Sequence, residues 1–337
     1  MKAFVVDRYK KNLDLRAAEV PVPAVGDHDV LVAVHAAGVN LLDAKIRDGE
    51  FKLVLKYGLP LILGNDLAGV VERVGPRVTN FEAGDQVYAR PDKDRIGTFA
   101  EFIALDEKDL ARKPAGLSMG EAAAVPLVAL TAWQALVDIA DVKPGQRVFI
   151  QAGTGGVGTI AIQLAKHLGA TVATTCSAQS FELVKSLGAD VVIDYRTKDF
   201  GEILHDYDVV VHSQDSAELA KSLRVLKRGG QVISISGPPD QHFARAVGAP
   251  WPVAALLTIM SAGVRRKARK LGVGYSFLFM KADGAELQAI ADLIDRGVIR
   301  PVIDSVFPFA RTNEAIARVA EGRAKGKVVI TVAGAAS

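Results

Sequence analysis

The chain has 337 residues, and at roughly 100 to 200 residues per domain that length predicts two lobes. Half of the residues are hydrophobic and 41 basic against 38 acidic side chains leave a formal net charge of +3, yet no apolar stretch approaches the roughly 20 residues of a membrane span. Asp7 and Arg8 interrupt the N-terminal run Ala3 to Val6 before it could form a signal-peptide core, which predicts a cytoplasmic protein, and the single cysteine, Cys176, excludes an internal disulfide and any multi-cysteine zinc site.

The first third reads as short strands between turns: Val30 to Val34 after Gly26-Asp27, Ala68 to Val71 before Gly75-Pro76, and Gln86 to Ala89 after Gly84-Asp85. This pattern suits a small barrel. From about Pro144 strand and helix signals alternate. Arg147 to Ile150 forms a buried strand, and a helix from Val157 carries Ile160, Ala161, Leu164, Ala165 and Leu168 on one face until Gly169 ends it. The alternation continues with strands at Thr171 to Thr175, Val191 to Ile193, Val209 to Val211 and Gln231 to Ile235. Between them lie helices at Ser180 to Leu187 and Ser216 to Leu226, the second followed by a Gly229-Gly230 turn. Such alternation predicts a doubly wound parallel sheet. After Gly237-Pro238-Pro239, Val253 to Ile259 and the basic run Arg265 to Lys270 predict a surface helix. The remaining elements are a strand at Tyr275 to Met280, a helix at Ala285 to Ile294, a strand at Val302 to Phe309, a helix at Asn313 to Ala320 and a strand at Val328 to Val332. The domains expected are 1–122, completed by 284–337, and 123–283.

Between the strand ending at Ile150 and the helix from Val157 stands G-x-G-x-x-G, carried by Gly153, Gly155 and Gly158 and filled in by Thr154, Gly156 and Val157. A tight turn, a backbone pressed against a pyrophosphate and close helix–sheet packing each require a residue without a β-carbon. The amides at the start of the helix then face the diphosphate of a dinucleotide. At the end of the next strand an NAD enzyme usually places a carboxylate for the ribose hydroxyls. Here Thr174 to Ser180 contains none before Glu182, so a phosphorylated ribose meets no repulsion, and NADPH is the expected cofactor. Ser177 and Ser180 are expected to donate to that phosphate, or to cap the following helix, with Tyr195 and Arg196 completing the pocket.

With these residues in hand, the chain resembles the medium-chain dehydrogenase/reductase superfamily over essentially its whole length. The resemblance is carried by A-A-G-V-N-L-L-D-A-K (Ala36 to Lys45), L-G-N-D-L-A-G-V-V (Leu63 to Val71), F-E-A-G-D-Q-V (Phe81 to Val87), V-P-L-V-A-L-T-A-W (Val125 to Trp133) and G-R-A-K-G-K-V-V (Gly322 to Val329). It implies an α/β fold, with a GroES-like β-barrel catalytic domain and a Rossmann domain. Zinc alcohol dehydrogenases of the superfamily place a ligating Cys after the Gly-Val turn and a His-Glu pair before the A-G-V-V strand. Asn40 and Asn65-Asp66 stand in those regions here, so no catalytic metal is expected. The branch implied is the quinone oxidoreductase and enone reductase one, with hydride delivered to the activated C=C of an enone or alkenal, or to a quinone.

Carried onto this sequence, the resemblance places Asn40, Asp43 and Lys45 near the nicotinamide, with Lys45 as donor to the developing oxyanion or to the cofactor ribose and Asp43 orienting it; a surface lysine on a short helix is the alternative. Thr131 matches a residue touching the carboxamide, and Gly237 with Phe277, Leu278 and Phe279 matches the segments walling the ring; core packing is the alternative for the two phenylalanines. Ala44 replaces an aromatic of many relatives, implying a roomier pocket. The α-carbon proton then comes from water or a group such as Tyr57. Ser180 replaces a common phosphate-binding lysine, a loss that Arg196 or Lys185 would offset. A homodimer joined at the Tyr275 to Met280 edge is expected. The basic run is expected to be a solvated face rather than a membrane or nucleic-acid patch, and the competing functional reading is an NADPH-binding protein with a regulatory or RNA-binding role.

Overall fold

The computed structural model describes residues 1–52 and 54–332; residue 53 and residues 333–337, the end of the range assigned above to the barrel domain, lie outside the described residues. The chain begins with β1 (Lys2–Val6), β2 (Arg16–Glu19), β3 (Asp29–Val39), α1 (Leu41–Asp48), β4 (Leu61–Ile62), β5 (Asp66–Val74), β6 (Gln86–Ala89), β7 (Phe102–Asp106) and β8 (Leu110–Arg112). Helices α2 (Met119–Ala123) and α3 (Pro126–Trp133) precede β9 (Arg147–Ile150), α4 (Gly156–His167), β10 (Thr171–Cys176), α5 (Phe181–Ser186), β11 (Val191–Asp194), α6 (Phe200–Ile203), β12 (Tyr207–His212), α7 (Ser216–Ser222) and β13 (Leu226–Ser234). There follow α8 (Gln241–Ala246), α9 (Trp251–Leu271), β14 (Gly274–Phe277), α10 (Gly284–Asp295), β15 (Ile303–Pro308), α11 (Thr312–Ala320) and β16 (Lys327–Thr331).

Two compact units result, Met1–Leu130 with the chain from Lys281 onward, and Thr131–Met280. The joins fall eight residues later and three earlier than the sequence suggests. Helix α2 explains the first difference, because it packs on β3 and β5. Its residues Ala122 and Ala123 are fully buried, and a β-carbon at Gly38 would overlap the carbonyl oxygen of Ala123.

In the first unit β3 is the hub of a sheet ordered β15-β16-β3-β5-β6-β8, with β7 also paired to β3. Alternation along β3 sends Val30, Val32 and Val34 into one core with Leu67, Val87 and Leu105. Each such burial stabilises the unit by roughly 1.5–3 kcal/mol relative to exposure. Ala37 and Val39, at the far end of the strand, join a second cluster with Phe4, Leu63, Phe99 and Ile330. The registers bring three chain segments to one place. Gly38 lies opposite Asp66, Val39 lies opposite Val328, and Asn40, Asp66 and Lys327 therefore crowd together at the ends of β3, β5 and β16.

The second unit is a six-stranded parallel sheet ordered β11-β10-β9-β12-β13-β14. Taking β9 as first, the order is 3-2-1-4-5-6, that of a dinucleotide-binding sheet. The sheet is buried on both faces, so β12 is an unbroken buried run. Some boundaries differ from expectation. Helix α7 stops at Ser222, and β13 starts at Leu226 and runs through Gly229-Gly230 as a bulge between the pairs Tyr207–Leu226 and Val209–Gln231, not as a turn before the strand. Gly229 has φ +81°, which favours glycine, and a β-carbon on Gly230 would crowd the Asp208 carbonyl at 2.9 Å. Strand β14 ends at Phe277, so Leu278 to Met280 lie beyond it.

Candidate functional site

In the barrel unit a buried polar network forms where β3, β5 and β16 end. The Lys327 Nζ, only 5% exposed, donates to the Asn40 Oδ1 at 2.6 Å, the Asp66 Oδ2 at 2.9 Å and the Val39 carbonyl at 3.2 Å. All three ammonium protons are thereby used. The Asp66 Oδ2 also accepts from the Asn40 Nδ2 at 2.8 Å, and its Oδ1 accepts from the Leu127 N–H at 2.7 Å. Asp43, in the first turn of α1, accepts from the Asn40 N–H at 2.7 Å and from the Asn65 Nδ2 at 2.7 Å. Full burial pushes the Asp43 carboxyl up to about 7, with the neighbouring Asp66 adding to the rise and these hydrogen bonds opposing it.

This arrangement changes the expected roles. Asp43 does not orient Lys45; its carboxylate faces Asn40 and Asn65 and is completely buried. Lys45, two residues further along α1, turns to a partly exposed position with its ammonium 3.7 Å from Glu50. Ala44 is buried in the barrel core cluster with Ile46 and Leu63, so its small size fills a core position. Tyr57 donates its hydroxyl to the Lys93 carbonyl at 2.7 Å, and burial pushes the phenol above its ordinary range. Asn65, Asp66 and Lys327 were not assigned roles from sequence, although the motifs around Leu63 and Gly322 contain them. A usable signal was there: a lysine and an aspartate at the mouths of apolar strands are rarely buried unless they pair.

In the second unit the loop from Gln151 to Gly155 joins β9 to α4. A β-carbon on Gly153 would overlap the Thr174 hydroxyl, and one on Gly158 would overlap the Ala152 carbonyl and crowd the Gly153 Cα at 2.8 Å. Ala152 takes a left-handed φ of 52°. The Gly153 N–H donates to the Thr175 carbonyl at 3.0 Å, and the Gly155 N–H to the Ala152 carbonyl at 2.9 Å. Gly155 caps α4 with extended backbone, and the helical ladder begins with the Thr159 N–H on the Gly155 carbonyl. The amides of Gly156, Val157 and Gly158 thus stand at the positive end of the helix, ahead of its first internal bond. Thr154 is half-buried beside them.

Beyond the parallel pair Cys176–Asp194, Ser177 and Tyr195 follow adjacent strand ends on the same edge of the sheet. Ser177 is half-buried and Ser180 is buried. Neither side chain caps a helix, and the Ser180 hydroxyl has no partner among the described residues. Tyr195 is exposed, with the Arg196 guanidinium 5.8 Å from its ring centroid. Thr131 is buried at the start of this unit. Gly237, at φ +108°, donates its N–H to the Ser234 Oγ at 3.2 Å and accepts from it at 2.8 Å. Phe277 and Phe279 both pack on Phe243, with centroids 5.2 and 5.1 Å apart, while Leu278 is buried and bonds through its N–H to the Ser234 carbonyl. Their rings therefore serve the packing of this segment.

Residues 26–115 match the family description "Alcohol dehydrogenase GroES-like domain" and residues 187–330 match "Zinc-binding dehydrogenase". The chain is 35% identical over 355 residues to the human "NAD(P)H oxidoreductase RTN4IP1, mitochondrial", covering 98% of this chain and 89% of that one. It is 34% identical to the "NADPH-dependent alkenal/one oxidoreductase, chloroplastic" of Arabidopsis thaliana, covering 98% and 79%. Among solved structures, the quinone oxidoreductase from Coxiella burnetii superposes with a TM-score of 0.87 at 30% identity, covering 99% of both chains. The chain is an oxidoreductase that belongs to the medium-chain dehydrogenase/reductase superfamily.

Proposed function

We propose that this chain is an NADPH-dependent reductase that acts without zinc on the activated C=C of an α,β-unsaturated carbonyl compound or on a quinone. The observation that carries the metal-free part is the ammonium of Lys327, held by Asn40 and Asp66. A lysine cation already neutralises Asp66, and no group of three or more His, Cys, Asp or Glu side chains among the described residues is arranged for a metal ion. The names of relatives that act on alkenals and quinones support the substrate class.

NADPH supplies a hydride, two electrons and a proton's mass, to the electron-poor carbon. The amides of Gly156 to Gly158 would hold its diphosphate, with Gly153, Thr154 and Gly155 shaping the turn. Ser177, the Ser180 hydroxyl, Tyr195 and Arg196 would hold the ribose phosphate. Thr131 would meet the carboxamide, and Gly237 with the Phe277–Phe279 backbone would wall the ring. Lys45, whose contact with Glu50 is longer than a hydrogen bond, donates to the negative oxygen that develops as the hydride arrives. Asn40 and Asp43 fix the N-terminus of α1 through the Asn40 N–H on the Asp43 carboxylate. Tyr57 is committed to Lys93, which leaves water to protonate the α-carbon. The units Met1–Leu130 with the chain from Lys281 onward and Thr131–Met280 then divide the substrate and cofactor roles, and two copies join along the open edge of β14.

NADPH consumption by the purified protein across a panel of enones, alkenals and quinones tests this reading. Turnover of at least one class is expected. Tight NADPH uptake without turnover of any would support the regulatory binding-protein alternative, and a monomeric mass at micromolar concentration would reject the dimer.

A further inference from the structure

Helix α9 merges the apolar segment after Pro250 and the basic run into one element of 21 residues, closed by Gly272 at φ +70°. Its inner face is fixed by buried Leu257, Ser261 and Ala268. Its outer face is not polar. A helical repeat aligns Leu256, Ile259 and Met260 with Arg266, Lys267 and Lys270 along one stripe, and all six are exposed. Ile259 is 71% exposed, and Trp251 at the helix start is 83% exposed. Of eleven large hydrophobic side chains exposed among the described residues, five (Trp251, Leu256, Ile259, Met260, Leu271) lie on this helix. Such concentration is not the single scatter of an ordinary surface.

The basic half is equally unusual. No acidic residue occurs between Trp251 and Leu271, and none of the ion pairs among the described residues includes Arg266, Lys267, Arg269 or Lys270. Lysines elsewhere in the same unit, such as Lys166 and Lys221, do find carboxylates. An occupant must therefore satisfy bare cations and apolar side chains on one face. A nucleic acid would meet the cations and leave Leu256, Ile259 and Met260 in water. A second copy would cover the apolar half and bring further unpaired cations to the seam, at a desolvation cost. An anionic lipid surface meets both halves, the apolar side chains at the headgroup–acyl boundary and the Lys and Arg groups on the phosphates. Among the described residues no helix is long and apolar enough to cross a membrane, so the contact proposed is parallel to the surface.

We propose that α9 docks the protein on anionic membranes through this stripe, a property independent of the chemistry proposed above. Flotation of the full chain with phosphatidylcholine vesicles containing phosphatidylglycerol, at low salt, tests it. Co-flotation is expected, weakened by salt and by omission of the anionic lipid. The blue shift of Trp251 fluorescence should accompany it and vanish in Trp251→Phe. The pairs Ile259→Glu with Met260→Glu and Arg266→Glu with Lys267→Glu should each lower partitioning at least about tenfold, with unfolding midpoints unchanged because all four side chains are exposed. Failure to float on the anionic vesicles, or flotation that neither pair weakens, overturns the proposal. Binding to RNA, or a concentration-dependent mass that Ile259→Glu abolishes, overturns it when seen without flotation.

Discussion

The Lys327 ammonium and the Asp66 carboxylate, 261 residues apart in the chain, meet at 2.9 Å with both side chains almost wholly buried. Lys327→Met leaves Asp66 charged in the barrel interior and is expected to cost about 3–5 kcal/mol in a denaturant titration. Adding Asp66→Leu removes the stranded charge and should recover part of the loss. The recovery stays incomplete, because the Asn40 Nδ2 then loses its 2.8 Å bond to the Asp66 carboxylate. A double variant no more stable than Lys327→Met would show that the pair is not coupled.

Asp43 makes stability depend on pH in a defined direction. Its carboxyl is raised from 3.8 to about 7 in the folded chain, so between these values the folded state holds a proton that the unfolded state has released. Stability from this group falls as pH rises from about 4 to about 7, and the full cost persists above. Asp43→Asn removes the titration. The new amide finds a partner if Asn65, whose Oδ1 has none among the described residues, turns over its side chain. The variant is expected to unfold at a higher temperature than the parent at pH 8 and to gain less on acidification. A parent-like fall between pH 4 and pH 7 would remove Asp43 as its source.

His212 works in the opposite sense. It is completely buried, and burial lowers its pKa from 6.5 to about 4, a fall that the Gln214 backbone only partly opposes. The unfolded chain binds the extra proton in that window, so stability is lost as pH falls from 6.5 towards 4. The loss is on the order of 3 kcal/mol at most. His212→Asn should flatten this acid limb of the stability profile, measured by thermal unfolding across the same window; an unchanged limb would assign it to other groups.

The glycine loop and the strand–helix alternation of a parallel sheet were legible in the sequence because both are set locally, whereas the strand order emerged only from the pairing. Gly153 and Gly158 face atoms only a few residues or one strand away, and the strand–loop–helix context travels with them. Lys327 was not legible as part of a network, since its partners come from β3 and β5 and only strand register unites them. Ser180 could be read as a cap or a ligand, and its side chain makes no capping bond to the helix that follows. The end of α7 was misplaced because Leu223 to Leu226 continue an apolar pattern that serves either a helix or the entry to a buried strand. The resemblance paired Asp43 with Lys45, yet a helix directs residues two apart to different sides.

Cofactor affinity offers two graded tests. Gly158→Ala places a methyl group against the Ala152 carbonyl, so NADPH affinity should fall by at least about tenfold, or 1.4 kcal/mol, in a fluorescence titration. Arg196→Ala should weaken NADPH by about tenfold while leaving NADH nearly unchanged, because only the former carries the phosphate that a guanidinium binds. Equal losses for both dinucleotides would move Arg196 out of the phosphate pocket.

Direct, zinc-free hydride delivery is tested most directly by mass spectrometry of the product formed by chelator-treated protein from an enone and NADPH deuterated at its transferable position. One deuterium on the β-carbon, with the α-hydrogen drawn from water and turnover unaffected by metal removal, is the expected result. Activity that disappears on chelation and returns with zinc, or product without label, would contradict it.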